Sequence, residues 1–148
     1  MPGVKRVEFN IVLPLNTPGA GRAKLFAKKL MSEDRNQAAE DHYYCALDYV
    51  SEGRHEDAIA EYAKAIEADP TFADAMHGLT RAYQDAARYD EAIEIAQRLI
   101  GIDPDDILAH TSLSILYQRK GMIPEAEEEG NKARILGWKK QLAEQKKT

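Results

Sequence analysis

Few side chains in this 148-residue chain combine a reactive type with a useful spacing. His42 precedes Cys45 by three residues, which sets a base and a thiol on one helical face, yet no third orienting group and no oxyanion arrangement follows. His77 and Arg81 lie one turn apart with Gln84 beyond them, a set able to take a carboxylate or phosphate, although isolated polar residues on a helix are ordinarily solvated. The four histidines do not fall at metal-ligand spacing, and no phosphate-cradling glycine loop appears. Neither a cofactor nor a metal is expected, and the chain does not read as an enzyme. What is left to explain is binding.

The elements that position these residues come from a repeat. Tyr49, Tyr83 and Tyr117 recur at intervals of 34. The same shift carries Ala58 onto Ala92 and Ala126, Asp69-Pro70 onto Asp103-Pro104 and, skipping one unit, Gly53 onto Gly121. Each unit reads as two helices: about Gln37–Ser51 and Glu56–Ala68, then Phe72–Ala86 and Tyr89–Gly101, then Asp105–Arg119 and Pro124–Leu136. Gly53 suits the left-handed conformation that ends a helix, Pro70 and Pro104 stop the next one, and Pro124 fits a first helical turn. Ala87 occupies the glycine column of the middle unit, which predicts slight strain or a different turn there.

Composition agrees with a soluble globular chain, 44% hydrophobic and 30% charged, with no apolar run near the roughly 18 residues that span a bilayer. The single Cys45, read as a small buried hydrophobe, fits a reducing compartment, and the chain reads as cytoplasmic. Residues 1–21 are mixed in signal and read as an irregular or extended leader, and residues 22–38 as a basic amphipathic helix and linker with Phe26 and Leu30 on its apolar face. The net charge of −5 hides a partition: residues 1–38 carry about +4, residues 131–148 about +5, and residues 39–130, with seven basic against 21 acidic side chains, −14. An acidic body repels phosphate backbones and aromatic residues are not interleaved with basic ones, so nucleic acid is not an expected partner. The cluster Glu125, Glu127, Glu128 and Glu129 reads as the solvated start of a helix.

These columns resemble the tetratricopeptide repeat family. With units at 39–72, 73–106 and 107–140, the eighth place holds Ala46, Thr80 and Ser114, the eleventh Tyr49, Tyr83 and Tyr117, and the twentieth Ala58, Ala92 and Ala126. Small residues allow two helix backbones to approach closely, and tyrosine fills the gap between one helix pair and the next. The resemblance implies an all-α solenoid of three antiparallel helix pairs with flanking N-terminal and C-terminal helices. The third unit departs most: Gly130 sits mid-helix at a cost of about 1 kcal/mol relative to alanine, and Trp138 replaces the proline stop. Residues 138–148 are expected to form a cap and basic tail, with Trp138 and Leu142 packing inward.

The resemblance further implies that first helices line a concave groove. Its residues are then Tyr43, Leu47 and Val50 of unit one, with Glu40 and Ser51; His77, Arg81 and Gln84 of unit two, with Asp74 and Asp85; and Thr111, Ile115, Gln118 and Arg119 of unit three, with Leu108. A non-enzymatic scaffold or adaptor holding a peptide or helix of a protein partner follows. The alternative is a self-assembling subunit, a homo-oligomer whose basic N-terminal segment docks on the acidic body of its neighbour. One use of this fold grips the terminal carboxylate of heat-shock chaperones with Lys, Asn and Arg. Tyr43, Leu47, Gly78, Leu108 and Ser112 stand at those places, so that role is not expected.

Overall fold

The computed structural model describes the backbone of residues 20–147 and the side chains of residues 36–147. The expected leader, and the apolar face of residues 22–31, lie outside what it describes. Six helices follow one another with no strand among the described residues: α1 (Ala20–Ser51), α2 (His55–Ala68), α3 (Ala73–Asp85), α4 (Tyr89–Ile102), α5 (Ile107–Arg119) and α6 (Ile123–Lys146). Where separate helices were expected at 22–31 and from Gln37, the helix runs unbroken. The body from Ala38 onward is a unit by itself, in which each helix from α2 packs on the next and α3 also touches α5. That order of contacts is a solenoid of helix pairs.

Loop chemistry explains the repeat columns. Asp69 accepts from the Thr71 backbone N–H at 3.1 Å, and Asp103 from that of Asp105 at 3.0 Å, so each aspartate closes a turn while the proline after it bars further helix. Unit three has Gly137-Trp138 in place of Asp-Pro, and α6 runs on to Lys146. The expected inward cap is therefore corrected: Trp138 is 60% exposed and Leu142 58%. With no loop to turn the chain, the continuing helix carries both away from the repeat.

Within units the turns are uniform. The N–H groups of Gly53, Ala87 and Gly121 each donate at 3.0 Å to the carbonyls of Val50, Gln84 and Gln118. All three residues have positive φ, of 75°, 60° and 77°. Ala87 thus keeps the same turn and carries the strain of a left-handed residue with a Cβ, the first of the two outcomes the sequence offered.

The core runs between units. Ala58, Tyr62, Ala65 and Ile66 of α2 bury themselves with Ala75, Met76, Leu79 and Ala82 of α3. Tyr62 packs so closely on Gly78 that a Cβ there would lie 2.4 Å from its ring, so this crossing requires glycine. At the two ends of the stack the packing positions change character. Asp41, Cys45 and Asp48 stand where units two and three bury Ala75, Leu79, Ala82 and Ala109, Leu113, Leu116. Cys45, expected to be buried, is exposed, on a face where Asp41 and Asp48 replace the apolar residues that the later units bury. At the other end, Ile59 and Ile93 give way to Glu127, and Ile66 and Ile100 to Arg134. Polar substitution closes both faces, as a solenoid in water requires.

Candidate protein-binding groove

The first helices α1, α3 and α5 hold the candidate groove residues, and the contact of α3 with α5 sets two of these helices side by side. Units one and three supply the apolar part. Leu47 and Val50, one turn apart on α1, are 39% and 40% exposed, and Ile115 on α5 is 37% exposed. Leu108 is also exposed. Tyr43 is half-buried, its ring 5.2 Å from that of Phe72 and 6.0 Å from that of Tyr62. It serves the joint between units one and two, and burial pushes its hydroxyl pKa up.

Unit two is polar and already satisfied from within. His77 Nε2 lies 2.8 Å from Asp106, whose other oxygen accepts from the Ala109 backbone N–H and caps α5. Arg81 donates to Asp85 at 3.2 Å. The set once open to a free carboxylate or phosphate is thus engaged with the chain's own acids. Gln84 is half-buried, and Thr111 spends its hydroxyl on the Ile107 carbonyl at 2.9 Å. Arg119 is exposed. Gln118 lines a cavity of about 390 Å³ on the C-terminal end face with Ser114, Gly130 and Arg134.

Two features were not read from the sequence. The first is a pair of part-buried histidine–carboxylate contacts: His42 Nδ1 to Glu61 at 2.7 Å in unit one, and His110 Nδ1 to Glu129 at 2.6 Å in unit three. Both join a unit's first helix to its second over the same 19-residue separation, and unit two fills the two places with buried Met76 and Ile95. A histidine and a glutamate that appear and vanish together were the available signal. It also removes Glu129 from the solvated acidic cluster. His42 therefore serves Glu61, which sits between it and any role beside Cys45.

His110 has acceptors at both ring nitrogens, since Nε2 lies 2.8 Å from the Pro104 carbonyl. A carbonyl only accepts, so the ring donates there, and donating to the Glu129 carboxylate as well makes it the imidazolium. Burial opposes that charge, but the bonds to Glu129 and Pro104 and the charge of Glu129 outweigh it and raise the pKa of His110. Burial likewise raises Glu129, and the bonds from His110 and Lys132 more than reverse it, leaving Glu129 below its ordinary value.

The second missed feature covers the tyrosine column. The Arg54 guanidinium stacks over the Tyr49 ring at 4.6 Å, and that of Arg88 over Tyr83 at 4.9 Å. Arg88 also reaches Glu91 in its own unit and Glu56 in the preceding one, at 2.7 and 3.0 Å. Tyr83 is half-buried and faces this lid, two residues from Arg81 in sequence.

Consecutive antiparallel helix pairs with small residues at the crossings define a helical-repeat solenoid, a class of protein-interaction scaffold. Residues 49–116 match the tetratricopeptide repeat family model, and the repeats of this chain are of the tetratricopeptide type. No curated protein matches the sequence. Among solved structures, a crystal structure of MamA is 30% identical, with 70% of this chain covered and a TM-score of 0.68. The chain spans only 61% of that MamA chain. The second tetratricopeptide domain of Spaghetti (RPAP3), bound to the HSP90 peptide SRMEEVD, is 23% identical, covering 71% of this chain and 96% of its own, with a TM-score of 0.67. The type III secretion translocator chaperone SycD of Yersinia enterocolitica is 23% identical, covering 68% and 76%, with a TM-score of 0.64. The last two likenesses show the fold alone. Among the described residues no helix is long and apolar enough to cross a membrane.

Proposed function

We propose that this protein is a non-enzymatic adaptor that holds a peptide or helix of a partner protein across its first helices. The observation that carries this reading is the exposure of Leu47, Val50 and Ile115 on α1 and α5. Aliphatic side chains at the groove places of both outer units offer apolar anchors, while the acids that engage His77 and Arg81 leave the middle unit to contribute hydrogen bonds and shape. The bound peptide of the Spaghetti domain is not transferred to this chain. A chaperone-tail clamp is not supported, because Tyr43, Leu47, Gly78, Leu108 and Ser112 occupy its places and Tyr43 packs on Phe72 and Tyr62. The test is selection of peptides from a displayed library on the full chain. Selected peptides are expected to lose binding at least tenfold on Leu47→Asp with Ile115→Asp, with the helical circular dichroism intact. Equal binding by that double variant would sink the groove.

Self-assembly through the basic N-terminal segment is the second reading, favoured by the charge of about +4 on residues 1–38 against −14 on residues 39–130. Light scattering of the full chain and of residues 36–148, at low and high salt, separates the two. A full chain that stays monomeric throughout removes it.

A further inference from the structure

The C-terminal extension of α6 runs beyond the helix length of the repeat. The second helices α2 and α4 have 14 residues each and α6 has 24, so ten residues, about 15 Å of helix, run past the point where the earlier units turn. Ile135, Trp138 and Leu142 fall within about 60° of one another on this helix, and all three are exposed. Ala126, Glu129, Ala133 and Leu136, the residues that face α5 or are part-buried, lie on the opposite side. The apolar stripe therefore points away from its own repeat, and a continuous helix cannot fold it back.

A stripe of isoleucine, tryptophan and leucine on a helix is the kind of surface that fills an apolar groove, with tryptophan the usual dominant anchor. Its flanks are basic: Arg134 on one side, Lys139 and Lys146 on the other, in a segment of six basic residues against one acidic. Two such tails repel each other, which disfavours symmetrical pairing of α6 with α6. The complement is an acidic surface with exposed aliphatic side chains. The candidate groove exposes Leu47, Val50 and Ile115, its places hold Glu40, Asp74 and Asp85 against Arg81 and Arg119, and the body that carries it has a charge of −14.

We propose that the Ile135–Trp138–Leu142 face of α6 docks in the groove of a second copy of this chain, a head-to-tail contact in which one molecule's tail is its neighbour's peptide. The proposal rests on the groove reading and names an occupant for it. Because tail and groove are different surfaces, the contact is heterologous and propagates unless the rotation closes a ring. Charge complementarity makes it weaken with salt.

The test uses full-length chains in sedimentation velocity. Wild type is expected to associate with rising concentration and to dissociate in high salt. Trp138→Ser with Leu142→Ser (tail-defective) and Leu47→Asp with Ile115→Asp (groove-defective) are each expected to weaken association at least tenfold. An equimolar mixture of the two variants should form a one-to-one dimer, since it holds one intact tail and one intact groove. Monomeric wild type at all concentrations overturns the proposal, as does association that survives the tail substitutions. Association lost in the tail variant but kept in the groove variant also overturns it, while library peptides that still need Leu47 and Ile115 would leave the adaptor reading standing. Trp138-dependent co-sedimentation with phosphatidylserine vesicles by a chain that stays monomeric overturns it in favour of an anionic lipid surface.

Discussion

Replacing Ala87 with glycine should stabilise the protein, although it removes a methyl group and loosens the unfolded chain. Ala87 sits at φ 60°, where a residue with a Cβ is strained by about 1–2 kcal/mol. Glycine escapes that strain but returns about 0.5–1 kcal/mol through its greater freedom when unfolded. Ala87 is exposed, so little packing is lost with the methyl group. The net expectation is a gain of about 0.5–1 kcal/mol. For a folded body of about 110 residues with an unfolding entropy of about 2.1 cal/mol/K per residue, that raises the thermal midpoint by about 2–4 °C. The reverse substitutions are the control. A Cβ built on Gly53 or Gly121 meets nothing within 4 Å, so Gly53→Ala and Gly121→Ala test backbone conformation alone and should each lower stability by about 1 kcal/mol. Thermal melts followed by far-ultraviolet circular dichroism, with urea titrations for the free energies, read all three. A fall in midpoint for Ala87→Gly, or a rise for either control, would refute the account of this turn.

Gly78→Ala should destabilise by about 1 kcal/mol in urea titrations, because overpacking against Tyr62, about 2 kcal/mol at the middle of its usual range, exceeds the helix propensity gained, about 1 kcal/mol. Combined with Tyr62→Leu, it should cost less than the sum of the two, and strict additivity would count against the contact. His110 has a raised folded pKa, so its contribution is complete below the ordinary value of 6.5 and is lost as pH rises through the folded one. Glu129 has a lowered pKa, so its contribution is present above the ordinary value of 4.5 and is lost as pH falls through the folded one. Stability of the third unit should therefore peak between these limits, and His110→Phe should abolish the decline on the alkaline side in melts taken across pH. Cys45 should react stoichiometrically with a thiol reagent in the native state, and the emission of the lone Trp138 should be that of an indole in water; a protected thiol or blue-shifted emission would contradict the exposed end face or the exposed tail.

The architecture was legible because its constraints are local and recur. Tyrosine every 34 residues, small residues at the crossings and Asp-Pro between units each express one steric or hydrogen-bonding requirement, and three copies make the pattern plain. What escaped depends on what lies across the gap. Cys45 and Leu79 hold the same place in successive units, yet one faces water and the other faces α2, and nothing local distinguishes them. Trp138 looked like a cap because a large apolar residue is ordinarily buried, but no loop turns α6 back and the side chain stays outside. His77 and Arg81 were legible as polar groove residues and not as paired ones, since Asp106 lies 29 residues away in sequence from His77. The groove anchors Leu47, Val50 and Ile115 were found from the family's places rather than from any chemistry of their own.

The polar residues that close the two ends bear on how such a chain changes length. Residues 73–106 alone among the three units bury packing residues on both sides, Leu79 toward α2 and Leu99 within the stack. A duplicated copy inserted beside the original would meet surfaces of its own kind at both joints, whereas a unit added outside Asp41 and Asp48, or beyond Glu127 and Arg134, would bury charge against an apolar face. The middle unit is therefore the one whose copies find matching surfaces at both joints, so a longer relative built from these same units should carry its extra repeats as near-copies of the central one.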